Sequence, residues 1–125
     1  MASILSLASR SFRTRSPARD AQTDLDRLTS VRQSITTALE GATHERDGLQ
    51  QRVDVYHARA SSLLDNSAEF SERSEADEDA IKEAEASAAA ADLRIRRISE
   101  QIEQLTEMLH RVDEIIASTT SGGAA

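Results

Sequence analysis

The 125-residue chain has no cysteine, a single proline and four glycines, and its only aromatic side chains are Phe12, Tyr56 and Phe70. Without cysteine there are no disulfides, thiolate metal ligands or cysteine nucleophiles, and nothing points to an oxidising compartment. With three aromatics a ring-rich globular core is excluded. No stretch approaches the roughly 18 consecutive apolar residues that a membrane-spanning helix needs, because Ser3, Ser6 and Ser9 interrupt the apolar opening. Glycine-rich phosphate loops and serine-centred nucleophile elbows are also missing, so the chain reads as non-enzymatic, without cofactor, metal or small-molecule substrate.

What the chain does have is charge, unevenly placed. Thirty per cent of its residues are charged and the net charge is −7. Residues 1–19 carry Arg10, Arg13, Arg15 and Arg19 and no acid, whereas residues 65–85 carry nine acids against Arg73 and Lys82. An acidic chain of this kind is not expected to coat nucleic acid. Only the N-terminal arm suits an anionic partner.

That arm, residues 1–16, is read as flexible or short-helical. On a helical wheel Ile4, Leu5, Leu7, Ala8 and Phe12 fall on one side, with Arg10 and Arg13 opposite. Four readings stand beside one another. The arm resembles an organellar targeting presequence in being rich in Arg and Ser and free of acids. It could contact an anionic membrane weakly. Through Arg10, Arg13 and Arg15 it could reach an acidic protein, or it could fold back as a loosely packed leader.

From residue 17 the dominant signal is a seven-residue period. Ala21, Leu28, Ile35, Ala42, Leu49, Tyr56 and Leu63 recur at that spacing, and Leu25, Arg32, Leu39, Arg46, Val53 and Ala60 form the companion row. From Ile81 to Ile116 apolar residues advance by alternating steps of three and four. These are the d and a rows of a heptad pattern, which implies two long helices supercoiling left-handedly. Ser16 and Pro17 supply the start signals of the first helix, and Leu64-Asp65-Asn66-Ser67 reads as the turn. The expected architecture is all-α: a basic arm over 1–16, an antiparallel coiled-coil hairpin over 17–117 and a flexible tail over 118–125. The hairpin divides into helix 17–64, turn 65–67 and helix 68–117, with Asn66 and Glu69 as a capping pair.

A turn at that place sets a register in which Leu63 faces Phe70. Tyr56 then meets Asp77, with its phenol able to hydrogen-bond the carboxylate, Val53 meets Ile81 and Arg46 meets Ala88, where small neighbours leave room for the arginine stem. Further along, Ala42 meets Ala91, Ile35 meets Ile98 and Arg32 meets Ile102. Arg32, Arg46, Tyr56 and Asp77 are therefore candidates for specifying the seam. The arginines are equally readable as tolerated, outward-reaching side chains. A competing arrangement places the helices end to end in a long parallel dimer, with 64–70 as a hinge.

Beside the seam, Val31, Met108 and Ile115 are apolar at flanking positions near the open end of the hairpin. A narrow two-helix seam buries little area per residue, while ordering each residue costs about 1–2 kcal/mol, so this flank is the expected place for a protein partner or a second copy. His44, His57 and His110 do not converge in the expected register, and position 48 is Gly where a zinc-type helix would carry a second His. The functional expectation is a cytoplasmic coiled-coil scaffold, adaptor or assembly component that self-associates or binds protein. The alternative is a regulator or peripheral membrane protein acting through its arginine arm.

Overall fold

The structure, a computed structural model, describes residues 16–70 and 74–123. Arg10, Arg13 and Arg15 lie outside those residues. Two helices pack against each other as a hairpin: α1 over Pro17–Phe70 and α2 over Glu75–Gly123. No strand occurs among the described residues, and the end-to-end arrangement is not adopted.

Helix α1 starts where local chemistry favours it. Ser16 Oγ accepts the Arg19 N–H at 3.1 Å and the Ser16 carbonyl accepts the Asp20 N–H at 3.1 Å. Pro17 occupies the first helical position, where its missing N–H costs nothing, and Asp20 faces the positive end of the dipole.

The turn is not at 65–67. Helix α1 runs through Leu64, Asp65 and Asn66 to Phe70, and α2 begins at Glu75 instead of residue 68. Two capping chemistries compete here, and the later one prevails. Ser74 Oγ accepts the Asp77 N–H at 3.1 Å and the Ser74 carbonyl accepts the Glu78 N–H at 3.0 Å, with Glu75, Asp77 and Glu78 in the first turn beside the helix dipole. Asn66, read as a cap, is an exposed residue within α1. At the other end the helix continues past Ala117 to Gly123, although 118–125 reads as a fraying tail. The hydroxyls of Thr119 and Thr120 donate to the carbonyls of Ile115 and Ile116 at 2.8 and 2.9 Å, so these side chains bond within the helix instead of competing with it.

The chain divides into two compact units. One joins the residues up to Thr36 with those from Glu107 onward, and the other spans Thr37–Thr106. The second, called the connecting unit below, holds every fully buried residue among those described: Ala42, Val53, Ala60, Ile81, Ala84, Ala88, Ala91 and Ile98. Five of the eight are alanines, and no polar or charged residue is buried with them.

Within the connecting unit the register is one heptad away from the expected one. Glu45 accepts from Arg94 through both carboxylate oxygens, each 3.1 Å from Nη2, and Tyr56 lies beside Ala80, Glu83, Ala84 and Ser87 instead of Asp77. These neighbours align Ala42 with Ile98, Leu49 with Ala91, Val53 with Ala88, Tyr56 with Ala84 and Ala60 with Ile81. In each of these layers a larger side chain meets an alanine. The expected register pairs Ala42 with Ala91 and leaves a void there, and interiors pack too densely to tolerate voids.

The other unit, called the terminal unit, obeys the same shift. Arg32 Nε donates to Asp113 Oδ1 at 2.6 Å. Had Arg32 stood level with Ile102, Asp113 would lie eleven residues further along the helix, about 16 Å away at 1.5 Å per residue and out of reach. In the shifted register Arg32 stands level with Leu109, one turn from Asp113. The seam residues of this unit, Leu25, Leu28, Leu109, Val112 and Ile116, are all half-buried. No described residue of the unit is fully buried.

Candidate protein-interaction surface

The flank singled out by the sequence is built by the terminal unit. Val31 is 49% exposed and Met108 53% exposed, while Ile115 is half-buried. Val31 precedes Glu45 by two heptads, and Met108 follows Arg94 by two heptads. Val31 and Met108 thus hold the places that a cross-helix ion pair holds in the connecting unit. There a charged pair faces water. Here the same pair of positions presents an apolar surface.

Charge beside this surface is largely compensated on the spot. Arg27 lies 3.7 Å from Asp24, and Arg111 lies 3.3 Å from Glu114, each pair three residues apart on one helix. Such exposed pairs add little stability, in the range of about 0.2–1 kcal/mol.

The seam candidates are distributed differently from expectation. Arg32 reaches across the terminal unit to Asp113, with both side chains 45% exposed. Asp113 was not singled out in the sequence, because its relation to Arg32 depends on the register. Arg46 turns to Asp47 on its own helix, 3.5 Å away, and makes no cross-helix pair. Tyr56 and Asp77 are not brought together, since the heptad shift carries Tyr56 towards Ala84 while the backbone N–H of Asp77 is held by the Ser74 cap.

A second surface feature escaped the sequence reading. Gly48, Gln51, Arg52, Val55 and Tyr56 line a hollow of about 400 Å³ on the connecting unit, with Val55 64% exposed. Its signal was Gly48 one heptad before Val55, which leaves the methyl groups of Val55 uncovered. The hollow is shallow, four of its five lining residues being exposed, and no cluster of polar groups converges on it. No group of three or more His, Asp or Glu residues is arranged to hold a metal ion among the described residues.

No protein-family model matches this chain, and no curated protein or solved structure does so either. No described helix is long and apolar enough to cross a membrane, and Val31 and Met108 share the exposed apolar surface of the two helices with Val55, Leu64 and Leu93.

Proposed function

We propose that this chain is a non-enzymatic helical assembly component, a scaffold or adaptor that binds protein through the flank of its terminal unit around Val31, Met108 and Ile115. One observation carries this reading. The terminal unit leaves two large apolar side chains half exposed at positions where the connecting unit places the Glu45–Arg94 ion pair, and it fully buries none of its described residues. A helical stripe that its own hairpin does not cover gains stability when another helix covers it, at about 25 cal/mol for each Å² of apolar surface removed from water.

The test compares proteins retained from a lysate of the source cell by immobilised full-length chain and by two variants. Met108→Glu should lose the retained partner, whereas Val55→Glu, a change of the same kind at an exposed valine of the connecting unit, should keep it. Equal retention by both variants would refute the assignment to this flank. A chain lacking residues 1–15 should retain the partner as well; its loss there with Met108→Glu unaffected would move the function to the arginine arm.

A further inference from the structure

We draw no further inference here: the strongest candidate, the hollow lined by Gly48, Gln51, Arg52, Val55 and Tyr56 on the connecting unit, is an open face of α1 with its valine exposed, and nothing in the structure shows what covers it.

Discussion

Among the described residues Ile98 is the most deeply covered large side chain, 1% exposed, and the register places it level with Ala42, itself buried. Replacing it with alanine removes a branched side chain from a seam with little freedom to collapse, at a cost of about 2–5 kcal/mol for Ile→Ala in a packed core. Alanine is the better helix former, which returns about 0.4 kcal/mol. The expected net loss is therefore about 1.6–4.6 kcal/mol, a large part of the roughly 5–15 kcal/mol that holds a domain folded. The informative step is the second substitution. Ala42→Ile in the Ile98→Ala background moves the large side chain to the facing helix and should recover about 1–2 kcal/mol, within the coupling expected for residues in contact. Urea unfolding followed by far-UV circular dichroism reads both changes as shifts in midpoint with an unchanged slope, at one fixed chain concentration because association adds to apparent stability. In the register that a turn at 65–67 would impose, Ala42 faces Ala91 and the swap has no reason to rescue anything. A double variant no more stable than Ile98→Ala alone would refute the alignment of Ala42 with Ile98.

Other substitutions separate local from tertiary effects. An added Cβ at Gly41 or Gly48 meets nothing within 4 Å, so Gly41→Ala and Gly48→Ala should each stabilise the chain by about 1 kcal/mol, visible as a higher melting temperature; a loss at either site would mean that its backbone is closely approached. Ser74→Ala removes the side-chain acceptor for the Asp77 N–H and should cost about 1 kcal/mol in urea unfolding, whereas Asn66→Ala, inside α1, should be neutral or slightly stabilising. A double-mutant cycle on Arg32 and Asp113, each 45% exposed, should give a coupling of about 0.2–1 kcal/mol that shrinks at high salt. A coupling of zero at low salt would show that the 2.6 Å contact contributes nothing to stability.

Much of the fold was legible because the heptad is a strong signal. Two apolar rows sustained from Ala21 to Leu63 and from Ile81 to Ile116 leave few alternatives to long helices. The exposure of Val31 and Met108 was legible as well, since both lie at flanking positions outside the a and d rows. The pairing of Arg32 with Asp113 was not, because it depends on which residue stands across the seam, and that is not a property of either helix alone.

The sequence by itself determined helix type, seam composition and the start of α1, because spacing, caps and helix propensity act over a few residues. It left the register open to slips of whole heptads: a slip of seven residues returns every a and d position to an a or d position, so apolar layers meet apolar layers either way. Tertiary structure decided among these registers. Steric fit across the seam rejects alanine facing alanine at Ala42 and favours Ile98 there. The Ser74 cap lets α1 continue to Phe70, and the Arg32–Asp113 bond closes only in the shifted alignment. Only the structure could show that the terminal unit ends with its apolar seam half covered, since burial is set by what the facing helix fails to reach.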